Sequence, residues 1–163
     1  MKITKRKLRQ IIREAILVEM QTITAYHGTS SQFSKFDPEA TTEFGIHFAV
    51  TPESARHRDS TRLIEVQLTY SNPIYMPDLM RWNLMNIARE LRLTREEVVE
   101  MRKRAASLAR ADGRSMRVHE NNAIGDKLDE LGYDAIIYDN RGEAGGEAII
   151  IWHRSQIKNL GDI

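Results

Sequence analysis

Gly145-Gly146-Glu147-Ala148-Ile149-Ile150-Ile151-Trp152 is the stretch on which the fold turns. A short unbroken apolar run, rich in β-branched residues and bounded by glycine, predicts a buried strand over Ala148–Trp152. An acid at the mouth of such a strand is partly desolvated, which costs free energy unless the acid is paired. The glycine pair before it lets a ligand or another segment approach closely. A solvent-facing acid in a hairpin turn has the same local sequence, so Glu147 is a candidate that needs company.

Working outward, Ala135–Tyr138 is a second strand, joined to the first by the glycine-rich turn Asn140–Gly146. Thr22–Tyr26 is strand-like and runs into His27-Gly28-Thr29. Ile46–Val50 is another short strand, and Leu63–Tyr70 alternates and is closed by Asn72-Pro73. Thr51 and Pro52 predict a helix start, with the threonine as cap and proline in the first turn. The middle of the chain reads as helix over Asp78–Leu91, Thr94–Ala111 and Asn121–Leu131. Thr94 and Glu97 form a capping box, and Gly132 stops the third helix. Strands gather at both ends of the body with helices between, which predicts an α+β fold rather than alternating βαβ units.

The chain has 163 residues, 41% hydrophobic and 29% charged, enough for one packed domain with a short arm. It has no cysteine, which excludes disulfides, zinc–thiolate sites and a cysteine nucleophile. No apolar run reaches the roughly 18 residues of a membrane span. The net charge of +1 hides an asymmetry: residues 1–20 hold six bases and two acids, and the acids outnumber the bases in the rest. Leu8, Ile11, Ile12, Ala15 and Ile16 recur at helical spacing, so residues 5–19 read as a basic amphipathic helix. The expected division is an arm over 1–20 and a domain over 21–163.

Two further segments carry polar residues at strand edges. His27-Gly28-Thr29 can present an imidazole beside a closely approachable backbone, or be a hydrogen-bonded turn. Gly45-Ile46-His47-Phe48-Ala49 places His47 and Ala49 on one face, which is also the pattern of an edge strand with its polar side in solvent. Ser54 and His57 follow in the helix start. A metal site fits poorly, because the five histidines include no helical His-x-x-x-His pair. There is no P-loop, and no helix follows Gly142–Gly146 as a dinucleotide fingerprint requires.

Taken in order, these segments resemble the ADP-ribosyltransferase superfamily, in its diphtheria-toxin and poly-ADP-ribose-polymerase branch with a His-Tyr-Glu triad. Small phage-encoded transferase domains are similar as well. The resemblance implies split antiparallel sheets around an NAD cleft, with a helical insert and the basic N-terminal helix added. It implies that NAD is a substrate and that no metal is needed. His27 would orient the adenosine-side ribose. The Gly28 backbone and Ser54 would hold the nicotinamide amide, and His47 with His57 would stack on its ring. Thr29 and Gly45 belong to the first two motifs, and Glu147 would be the catalytic acid.

The sequence departs from that branch where His47 stands for the stacking tyrosine. Histidine there is shared with the related NAD-dependent RNA 2′-phosphotransferases, which lack the glutamate. Gly145 stands where arginine-specific relatives carry an additional acid, while Glu143 lies four residues before Glu147. The resemblance therefore implies a mono-ADP-ribosyltransferase with a protein acceptor, in a host cytoplasm or a virion if phage-encoded. The alternatives are an RNA 2′-phosphotransferase-like enzyme, for which nucleic acid is the partner, and an inactive virion or interaction protein that keeps the fold. Leu17-Val18-Glu19 also resembles the sites cut by head-maturation proteases of large tailed phages, so the arm of an injected effector would be removable. The sequence names neither the acceptor nor an oligomeric state.

Overall fold

The structure is a computed structural model and describes residues 20–56, 60–140 and 145–163. The predicted helix over 5–19, His57 and Glu143 lie outside the described residues. The architecture is α+β. Seven strands, β1 (Gln21–Thr29), β2 (Ile46–Ala49), β3 (Arg62–Tyr70), β4 (Pro73–Tyr75), β5 (Ala135–Asp139), β6 (Glu147–Ile151) and β7 (Ile157–Asp162), form one sheet. Their order is β4-β5-β6-β2-β1-β3-β7. Four helices accompany them: α1 (Pro52–Ala55), α2 (Leu84–Glu90), α3 (Arg95–Asp112) and α4 (Met116–Glu130).

The sheet is not wholly antiparallel as expected, because β4 pairs with β5 in parallel. It is nearly divided in the middle. β1 pairs with β3 along its whole length, from Gln21↔Tyr70 to Thr29↔Arg62, but with β2 only at Tyr26↔Ala49. Two half-sheets therefore splay apart beyond this point, and the gap between β1 and β2 opens there.

Two cores follow from the alternation of side chains. On one face, Tyr138, Ile150 and Trp152 pack against Trp82, Ile87 and Leu128 under the helices. On the other, Ile137, Ile149 and Ile151 meet Ala25, Val66 and Leu68 from the other half-sheet. Each fully buried large side chain contributes about 1.5–3 kcal/mol. The IIIW run feeds both cores, which is why it is apolar at every position rather than at alternate ones.

Several boundaries differ from the sequence expectation. The helix expected over Asp78–Leu91 starts only at Leu84, capped by the Asn83 side chain. The residues before it are drawn into tertiary contacts, with Phe44 N–H donating to the Trp82 carbonyl and Trp82 N–H to the Glu43 carboxylate. Met80 there adopts φ 59° and is 73% exposed, outside the core. The helix expected from Asn121 begins at Met116 with Ser115 as cap. β4 and β7 were not predicted: one is three residues long, and the other is polar along an edge.

The half-sheets are stapled at the end away from the gap. The Asp134 carboxylate accepts from Ser71 N–H, Ser71 Oγ and Asn72 N–H at 2.7–2.8 Å. Gln156 Nε2 donates to the Thr69 and Asp134 carbonyls. Asp134→Ala leaves the two N–H groups and the hydroxyl without their acceptor, and is expected to destabilise the fold by about 2–4 kcal/mol. Denaturant unfolding measures this; a change under about 0.5 kcal/mol would assign no stapling role to Asp134.

Candidate active site

The gap between β1 and β2 is a cleft of about 340 Å³. Its walls bring together four elements. β1 supplies His27 and Gly28, β2 supplies His47 with Gly45 just before it, α1 supplies Ser54, and β5, about 80 residues later, supplies Tyr138. The start of α1 is fixed locally as predicted: Thr51 Oγ1 accepts from Ser54 N–H and donates to Ser54 Oγ, with Pro52 in the first turn. β2 is an internal strand between β6 and β1, so the edge-strand reading of His47 does not hold.

His27 is held by chemistry on both its ring faces and its edge. Its ring lies against Phe33, Phe36 and Phe48, with centroids 5.4–6.1 Å away. Its Nδ1 lies 2.9 Å from the His47 carbonyl oxygen. A carbonyl only accepts, so Nδ1 carries the proton. This bond ties β1 to β2 across the gap and fixes the tautomer of the histidine.

His47 is a neutral group. Its Nδ1 lies 2.9 Å from the Tyr138 hydroxyl. Burial pushes its imidazole down to about 4, aided by His27 and opposed by the Phe44 backbone and Asp78. The unfolded imidazole protonates near 6.5, so between 6.5 and about 4 the native state binds fewer protons than the unfolded one. Stability contributed by His47 is complete above the upper value and falls by up to about 3 kcal/mol as pH drops to the lower. Urea midpoints of wild type and His47→Gln are expected to diverge below pH 6.5, the variant losing less. Parallel curves would show that His47 titrates normally.

Gly28 also has a packing role. A Cβ at this position would fall 1.9 Å from the Ala55 carbonyl oxygen, so the residue lets α1 lie against β1. Its backbone still lines the cleft. Thr29 does not line it; its hydroxyl accepts from Ser31 N–H at the end of β1.

Glu147 does not line the cleft, although its neighbour Ala148 does. Ala148 faces the cleft, and strand alternation turns Glu147 to the other side. There it shares an open depression with Tyr75, Tyr138 and Asp139. Asp139 is its direct cross-strand neighbour, and Tyr75 is 72% exposed beside the two. Burial, followed by the charge of Glu147, raises the Tyr70 phenol above its usual range. The Glu147 carbonyl accepts from Val50 N–H, which anchors the strand mouth next to α1. Gly145 and Gly146, at φ 73° and 92°, set the direction from which the chain enters the strand.

Tyr138 and Trp82 are parts of this wall that the sequence motifs did not contain. Trp82 is 3% exposed and belongs to the core, and it also borders the cleft. Among the described residues, no group of three or more histidines and acids could hold a metal ion. No helix among them is long and apolar enough to cross a membrane.

The family model described as ADP-ribosyltransferase in polyvalent proteins matches residues 21–162. No curated protein sequence matches the chain. Among solved structures, an anti-CRISPR protein is similar at 14% identity and a TM-score of 0.44, over 88% of this chain and 96% of that one. The MbcT–MbcA toxin–antitoxin complex of M. tuberculosis contains a chain similar at 13% identity and a TM-score of 0.43, over 88% and 84%.

Proposed function

Given that this chain belongs to the ADP-ribosyltransferase family found in polyvalent proteins, we propose that the cleft takes NAD and that the protein transfers ADP-ribose to a protein acceptor. The observation that carries this is the convergence of His27, Gly28, His47 and Ser54 on one cleft, with Glu147 next in sequence to Ala148 of its wall and in the adjoining depression that Tyr138 also borders. These residues come from four separate elements, and a purely structural role would not require them to share a surface.

In this reading the nicotinamide–ribose bond breaks, and its electron pair leaves on the nicotinamide nitrogen. The ribose carbon passes through an oxocarbenium-like state, as in glycoside cleavage. Glu147 stabilises that developing charge more than it stabilises the ground state. An acceptor nucleophile then bonds to the ribose carbon and gives up its proton. His27 holds the adenosine-side ribose, and Ser54 with the Gly28 backbone holds the carboxamide. The depression lined by Tyr75, Asp139 and Glu147 is open to solvent and lies on the acceptor side. The arm over 1–20 is proposed as separate from this domain.

The test is incubation of the full chain with labelled NAD and a bacterial lysate, beside Glu147→Gln. Label on protein from the wild type alone supports the reading. Removal of a 2′-phosphate from RNA, dependent on NAD, would replace it with the RNA-phosphotransferase reading. NAD binding without turnover would leave a binding protein that keeps the fold.

A further inference from the structure

Tyr138 belongs to none of the motif segments, yet it borders both the cleft and the depression that holds Glu147. Its hydroxyl lies 2.9 Å from His47 Nδ1. Trp82 closes on the same pair, its ring 4.7 Å from that of Tyr138 and 5.8 Å from that of His47. The three rings meet at angles of 54–79°, in tilted and edge-on contacts that suit their quadrupoles. The imidazole is thus fixed by two aromatic neighbours and a hydrogen bond. Its second nitrogen, Nε2, is buried and meets no hydrogen-bond partner among the described residues. A buried polar atom without a partner is costly, and in native proteins it calls for a functional or solvent explanation.

We propose that Tyr138 is a positioning residue of this site: by bonding His47 Nδ1 it holds the imidazole in one tautomer and one orientation in the cleft wall against which the dinucleotide lies, in place of the stacking role that the motif implies. The proposal rests on the reading that the cleft takes NAD. A tyrosine hydroxyl donating to Nδ1 puts the ring proton on Nε2, the buried nitrogen. The groups facing His47 are His27 from β1, Tyr138 from β5, and Asp78 from the segment before α2, with Glu43 along the same cleft. Burial decides for the neutral ring: the Phe44 backbone and Asp78 favour a proton on His47, and His27 disfavours one. A neutral ring can approach the cationic nicotinamide ring without repulsion, whereas an imidazolium could not.

Tyr138→Phe removes one hydroxyl and keeps the ring that fills the core, so it tests the bond rather than the fold. Imidazole nitrogen NMR on the protein without NAD gives the first readout. The wild type is expected to show one His47 tautomer, protonated on Nε2. The variant is expected to show mixed tautomers. NAD titration gives the second: Kd is expected to rise by about three- to tenfold, with kcat less affected. In a His47→Gln background the same change should have little further effect on Kd, because the residue being positioned is gone. Unchanged His47 signals in Tyr138→Phe overturn the proposal, whatever NAD does. Altered signals in a wild type that binds no NAD overturn the reading of the cleft, and the ligand role of His47 with it.

Discussion

Glu147→Gln is expected to reduce both NAD consumption and protein labelling by about 10²–10³-fold, the usual effect of removing one oriented group that stabilises transition-state charge. The glutamine keeps the size and the hydrogen-bonding oxygen of the side chain and removes only its charge. Glu147 is exposed and contributes no buried packing, so folding should be unaffected within about 0.5 kcal/mol. Loss of turnover with unchanged melting would therefore report chemistry alone. Asp139 is the natural control, since it faces Glu147 directly across β5 and β6 and carries the same charge. Asp139→Asn is expected to cost much less than Glu147→Gln in NAD hydrolysis. Equal losses would mean that the two acids act as a unit, and a larger loss at Asp139 would move the catalytic acid there.

Gly28→Ala is expected to be the most damaging single-methyl change in the described chain. The added Cβ would sit 1.9 Å from the Ala55 carbonyl oxygen and 2.7 Å from Ser60 Oγ. A flexible side chain could move, but the nearer atom is backbone. Nor can β1 withdraw easily, because Gly28 is paired with Leu63 in the longest ladder of the sheet. α1 must shift instead, and it carries Ser54 on the cleft wall. Overpacking against backbone of this kind costs about 3 kcal/mol or more. The expected result is a large fall in the unfolding midpoint together with weakened NAD binding. Normal stability with lost NAD binding would instead mean that the glycine is there for the ligand's approach, as the motif implied.

The parts that local sequence could foretell are those whose cause is local. Thr94 and Glu97 predicted a capping box, and both of its hydrogen bonds form, at 3.2 and 2.8 Å. Thr51 and Pro52 start α1 for the same reason: the cap bonds a residue three positions on. β1, β3, β5 and β6 were marked by β-branched and apolar runs long enough to show a period. The order of the motifs around His27, His47 and Glu147 was likewise readable, because each sits at a strand end bounded by its own glycine.

What failed in the sequence reading depended on distant partners. Asp78–Asn83 has residues that suit a helix, but Glu43 and Phe44 bind the backbone of Trp82 and hold the segment open. Tyr138 looked like the last residue of a buried strand, and only the fold sets its hydroxyl on His47, 91 positions earlier. The close packing of Gly28 on Ala55, 27 positions later, was likewise invisible in the sequence.

The sequence by itself determined the α+β class, the capped helices, the main strands and the set of candidate groups, since caps and hydrophobic periods act within a few residues. Only the tertiary structure decided that the sheet nearly splits at Tyr26↔Ala49, that His47 is clamped by Tyr138, and that Glu147 lies in a depression beside the cleft with Asp139 opposite. The reason is physical: strand pairing and burial join residues by space, and a shift of one residue in register would turn every side chain of β6 to the opposite face.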